Sequence, residues 1–176
     1  MISWNPNQQS VNTNIFFACT QAAVTAGAGL STTIATISLS NDITSRKNLV
    51  LLNAQWQFST VPAAAVVVAL VGNYNASTNV THTTPLNVQS AYINAVGGTG
   101  TTNAVGKADT VATLPTTPIY YMPLTGAGTS ALGPGAMQPD FSGMYVIPPG
   151  GYVAIQANAA AVGFASIMWA EYPINI

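Results

Sequence analysis

The chain has 176 residues, a formal net charge of −1 and only 4 % Asp, Glu, Lys and Arg, against roughly 25 % in an ordinary soluble protein. That length fits one domain able to bury a core without disulfide or metal staples. Three Lys and Arg are too few to grip a phosphate backbone, which needs clustered cations, so nucleic acid is not an expected partner.

The start, Met1-Ile2-Ser3-Trp4-Asn5-Pro6, has neither a basic stretch nor an apolar one, so no signal peptide is expected. Residues 1–13 read as a short neutral N-terminal arm and residues 14–176 as a single β-sandwich domain. Trp4 sits in a polar segment, where a tryptophan either folds back over a sheet edge or anchors into a partner. Trp4, Asn5 and Pro6 are therefore the candidate partner-binding residues.

From there the chain reads as strands. Asn14–Thr25 is the first, and in its apolar run Cys19 is expected to be a small buried hydrophobe. A lone cysteine excludes an intramolecular disulfide and a Cys-based zinc site. Leu30–Ser40 is rich in Thr and Ile, which suit a pleated surface, and Ile37 and Leu39 share a face. Asn48–Thr60 alternates with period two, placing Val50, Leu52, Ala54, Trp56 and Phe58 on one face and Leu51, Asn53, Gln55 and Gln57 on the other. Ala63–Gly72 is apolar on both faces, as in a central strand. The longest apolar stretch, Val61–Val71, contains a proline and is too short to span a bilayer, so no membrane partner is expected.

Further strands are expected at Leu86–Val96, Pro118–Leu124, Gly143–Ile147, Tyr152–Ala157 and Val162–Tyr172. Gly97–Ala112 and Gly126–Phe141 read as long loops. Turn clusters such as Ser40-Asn41-Asp42 and Pro148-Pro149-Gly150-Gly151 separate the strands. No stretch sustains a helical pattern. About eight strands in one domain imply an all-β jelly-roll sandwich.

Groups with catalytic potential are few. His82 is the one histidine and reads as a solvated loop residue; no Gly-x-Ser-x-Gly elbow accompanies it. Of the acids, Asp42 and Asp140 suit Asx-type turns, and Glu171 is either a buried hydrogen-bonded acid or an interface contact. The Gly97-Gly98-Thr99-Gly100 tract leads into no Lys-Ser/Thr helix start, so it is no phosphate cradle. No Asp-x-Asp-x-Asp calcium loop exists. No catalytic residue, cofactor or metal is expected, and an enzyme is not the expected class. Trp56 reads as core. Tyr120, Tyr121, Tyr145, Tyr152 and Tyr172 suit either sheet packing or a carbohydrate platform.

The C-terminal segment has a distinctive pattern: Val146-Ile147-Pro148-Pro149-Gly150-Gly151-Tyr152, a strand to Gln156, then Phe164 through Trp169-Ala170-Glu171-Tyr172. Over about thirty residues it resembles the last hairpin of small β-sandwich virion proteins of tailed bacteriophages. The resemblance implies a homotrimeric capsid decoration or cement protein, made in the host cytoplasm and carried on the virion exterior against the major capsid protein. A trimeric receptor- or carbohydrate-binding head and a shell-forming single-jelly-roll coat protein are the alternatives.

Overall fold

The computed structural model describes residues 14–91, 104–129 and 140–174, with only the backbone of Asp140 and Ser142. Thirteen strands are present among them: β1 (Ile15–Cys19), β2 (Val24–Ala26), β3 (Thr33–Ile34), β4 (Ser38–Asn41), β5 (Lys47–Phe58), β6 (Val66–Tyr74) and β7 (Thr81–Pro85). There follow β8 (Gln89–Ser90), β9 (Gly106–Thr113), β10 (Ile119–Ala127), β11 (Asp140–Ile147), β12 (Gly151–Ala157) and β13 (Ala161–Pro173). The described residues contain no helix.

The strands form two antiparallel sheets packed as a β-sandwich. In the first, the order is β11-β5-β13-β1-β8, with β2 on β13 beyond β1. In the second, β10-β6-β12-β4-β9 are adjacent. Thr113, Ala112 and Asp109 of β9 each pair with β3 or β4 and also with β7. A strand residue has only two lateral neighbours, so β3 and β4 lie on one side of β9 and β7 closes the other.

The main core lies between the sheets and is anchored by Trp56, Trp169, Phe141, Leu39, Leu49, Leu51 and Leu70, all fully buried. Ile37 and Leu39 are both in it, as their shared face requires. β6 is central, between β10 and β12, and its apolar residues are used on both sides. Leu70 faces the main core, while Val71 joins a second cluster on the outer face of that sheet with Ile34, Val80, Ala112, Leu114, Tyr152 and Ala154.

β5 departs from simple alternation. Met168 pairs with Asn53 and Trp169 with Leu51, leaving Leu52 as an extra residue in β5. This bulge reverses which side chains point inward. Leu49 and Leu51 are buried on one side of it and Ala54, Trp56 and Phe58 on the other, while Val50 and Leu52 are only half-buried. The face expected to unite Val50 and Leu52 with Trp56 is therefore split.

The expected loop at Gly97–Ala112 is also corrected, because residues from Gly106 onward form β9. Its composition is weakly β-prone, but it fills a position that β4 and β7 both hydrogen-bond. The expected single strand Leu30–Ser40 is two short pieces, β3 and β4, joined by a break at which the buried Thr36 hydroxyl donates to the Ile155 carbonyl.

At the turn into β12, Gly150 has φ +86°. Its N–H donates to Asn41 O at 2.8 Å and its carbonyl accepts from Asn75 N–H at 3.0 Å. A side chain there meets both the left-handed backbone and the Asn75 carbonyl.

Candidate functional site

The outer face of the first sheet carries an unusual surface. Register places Val146, Val50, Ala170 and Ile15 side by side across β11, β5, β13 and β1. The neighbouring positions hold Met168 beside Phe17, then Ser166 beside Cys19, then Phe164 beside Gln57. Met144, two residues before Val146, shares the face by alternation and is 70 % exposed. Phe164, Met168 and Tyr172 also stand exposed on β13. Sandwich exteriors ordinarily alternate to polar residues. Here β13 is apolar inward through Ile167 and Trp169 and largely apolar outward as well.

Cys19 belongs to this outer face and is half-buried, with Gln21 Nε2 at 3.5 Å from its sulfur. The expectation of a buried thiol is thus corrected: in β1 the inward positions fall to Phe16 and Ala18.

The few charges gather at the end of the sheets beside the Val50–Ala170 row, where Lys47 pairs with Pro173 and Leu49 with Glu171. Asp42, Arg46 and Lys47 lie in or beside the β4–β5 turn, and Lys107 pairs with Ser40 next to it. Asp42 Oδ1 accepts from Thr44 N–H at 2.9 Å and from its hydroxyl at 2.7 Å, the expected Asx-type turn. These bonds, the Thr44 hydroxyl foremost, hold the Asp42 carboxyl below its ordinary value of 3.8. Lys107 Nζ lies 4.0 Å from Asp42 Oδ2, which also accepts from Asn79 Nδ2 at 3.0 Å.

Glu171 is the buried anchor of this end, 1 % exposed. Oε1 accepts from Val105 N–H at 2.8 Å, Gly106 N–H at 2.9 Å and Trp169 Nε1 at 3.3 Å, and Oε2 accepts from Lys47 Nζ at 3.0 Å. Every donor capacity aimed at the carboxylate is filled, which is what makes burying an acid tolerable. This arrangement is the first of the two roles expected for Glu171.

His82 is not a solvated loop residue. It lies on β7, with Nδ1 2.5 Å from Oδ2 of Asp109, whose side chain is fully buried on β9. Ser38 lies opposite Asp109 in the β4–β9 register. A serine, a histidine and an aspartate thus come together, but Ser38 Oγ is buried and bonds to nothing, and so does Asp109 Oδ1. A nucleophilic relay needs the hydroxyl hydrogen-bonded to the imidazole, and that bond is absent from this trio. Sequence reading missed the pair because nothing local marks residues 27 positions apart as partners.

Among the tyrosines, Tyr152 is core, its hydroxyl donating to Thr116 O at 2.6 Å. Tyr121 stacks on Tyr145 at 5.7 Å between ring centres, and Tyr120 and Tyr172 are exposed. Trp56 is core, as expected. Trp4, Asn5 and Pro6 lie outside the described residues, as does the side chain of Asp140. Among the described residues no three His, Cys, Asp or Glu side chains form a group that could hold a metal ion.

These features define an antiparallel β-sandwich with charges gathered at one pole and a sheet exterior on which apolar side chains of β11 and β13 stand beside the amides of Asn53, Gln55 and Gln57 on β5. Comparison with protein-family models, with curated proteins and with solved structures finds no match to this chain.

Proposed function

We propose that this chain is a structural virion protein, a capsid decoration or cement protein that works as a homotrimer packed on a major capsid protein. The supporting observation is the run of exposed apolar side chains, Met144, Val146, Phe164 and Met168, on the exterior of the first sheet, because contiguous apolar surface commonly marks a contact site. Two of the four acids, Asp109 and Glu171, are buried, so the working surface is even more neutral than the composition. Association surfaces are depleted of charge at their centres in the same way. The two packed antiparallel sheets, with β1-β13-β5-β11 adjacent in one and β4-β12-β6-β10 in the other, support reading the sandwich as a jelly roll.

Quantitative mass spectrometry of purified virus particles tests this reading. The expected result is the chain in fixed stoichiometry to the major capsid protein. Its absence from particles made in cells that express it would overturn the proposal.

A second reading, a carbohydrate-binding head, is favoured by the exposed Tyr120 and the stacked Tyr121–Tyr145 pair, since sugars bind against aromatic faces. Saturable glycan binding abolished by Tyr120→Ala supports that reading over the first.

A further inference from the structure

β7 buries no apolar side chain of its own: four of its five residues are exposed and the fifth, His82, is half-buried. Among the described residues it pairs with β9 alone, and the register shifts between His82 and Thr84 and again between Thr84 and Pro85. Two bonds besides the ladder join it to β9. One is exposed, from Thr110 Oγ1 to Thr84 O at 3.3 Å, and the other runs from His82 Nδ1 to the buried Asp109.

The residues on either side of β7 are held firmly. Val80 is buried in the outer cluster, and Asn79 bonds the Ile43 N–H at 2.9 Å and Asp42 Oδ2 at 3.0 Å. Leu86 N–H donates to Ala108 O at 2.8 Å, and its side chain packs on the main core. A short exposed span between two such anchors can lift without either sheet opening. The closed arrangement is also imperfect. Asp109 is fully buried, yet its Oδ1 has no hydrogen-bond partner, and the hydroxyl of Ser38 opposite it on β4 does not supply one. A buried acceptor left unsatisfied costs free energy that solvent access relieves. Segments with few buried apolar contacts open at lower free energy than the core.

We infer that Thr81–Pro85 is a strap that lifts from β9 as a unit while the rest of the sandwich stays closed, with the His82–Asp109 pair setting how often it does. The inference concerns this chain alone and does not depend on its being a virion protein.

Native-state hydrogen exchange, followed by NMR across low urea concentrations, tests it. The reference is β12, which is buried along its whole length and paired on both sides. The β7 amides bonded to β9 are expected to exchange at least about tenfold faster than those of β12. Low urea is expected to leave that rate unchanged, since lifting a strap exposes little surface. The Leu86 amide is expected to keep its protection. His82→Ala is expected to speed β7 exchange about tenfold or more beyond the native chain, again without urea dependence. His82→Asn, which keeps an N–H donor for Asp109, is expected to fall between the two.

Two results would overturn the inference. β7 amides that share the rate and urea dependence of β12 would open only when the whole sandwich unfolds. β7 exchange left unchanged by both His82 substitutions would mean that the pair does not hold the strap.

Discussion

Glu171 Oε1 on β13 accepts the backbone N–H of Gly106 on β9 at 2.9 Å, so a strand of one sheet holds the first residue of a strand in the other. The same oxygen takes the Val105 N–H, and the other oxygen takes Lys47. The carboxylate therefore fixes the entry to β9, the strand between β4 and β7.

Replacing Glu171 with Ala orphans the backbone N–H groups of Val105 and Gly106, the Trp169 indole N–H and the Lys47 ammonium. A loss of about 3–5 kcal/mol in unfolding free energy is expected from urea titration. Glu171→Gln keeps one acceptor oxygen and is expected to lose no more than about half of that. Equal losses in the two variants would show that the acceptor geometry is not what matters.

Gly106 itself has no room for a side chain. A Cβ there comes within 2.7 Å of Trp169 Nε1 and 3.1 Å of Leu49 Cδ1, both parts of buried residues. Gly106→Ala is expected to cost about 1–3 kcal/mol as overpacking, with altered Trp169 fluorescence. A change below about 0.5 kcal/mol would mean that the indole shifts freely.

His82 and Asp109 form a pair that pins the outermost strand β7 to β9. His82→Ala leaves a fully buried carboxylate without its partner and is expected to cost about 3 kcal/mol. Adding Asp109→Ala is expected to restore part of this, giving a coupling of about 1 kcal/mol or more in a double-mutant cycle. Strict additivity of the two substitutions would refute the pairing.

Tyr152 sets an alkaline limit. Burial, above all, raises its phenol above the ordinary 10.0. A group that loses its proton less readily in the folded state contributes stability that is fully present below pH 10. That contribution is lost as pH rises through 10 toward the folded value. The unfolding midpoint of the native chain is therefore expected to fall above pH 10 more steeply than that of Tyr152→Phe. At pH 7 the Phe variant is expected to be about 1 kcal/mol less stable, from the lost bond to Thr116. Parallel pH profiles would contradict this account.

Much of the fold is legible in short stretches of chain. Alternation marked β5, two-sided apolarity marked β6 as central, and the Pro-Pro-Gly-Gly cluster marked the turn into β12. These signals are local because side chains in a strand alternate whatever the partner strand is. Cys19 and the Val50–Leu52 segment went the other way, and for one reason: the inward parity of a strand depends on its neighbour's register.

Composition by itself determined that this protein is nearly uncharged, and strand patterning with the turn clusters between strands determined that it is all-β. Only the tertiary structure decided where the remaining charge goes. It buries Glu171 and Asp109 beside donors from distant strands, gathers Asp42, Arg46, Lys47 and Lys107 at one pole, and, through the Leu52 bulge, turns Val50 outward into the apolar row. It also makes a strand of β9, whose residues become one because β4 and β7 offer hydrogen bonds on either side. Pairings of that kind join residues far apart in the chain, and no window of sequence contains both partners.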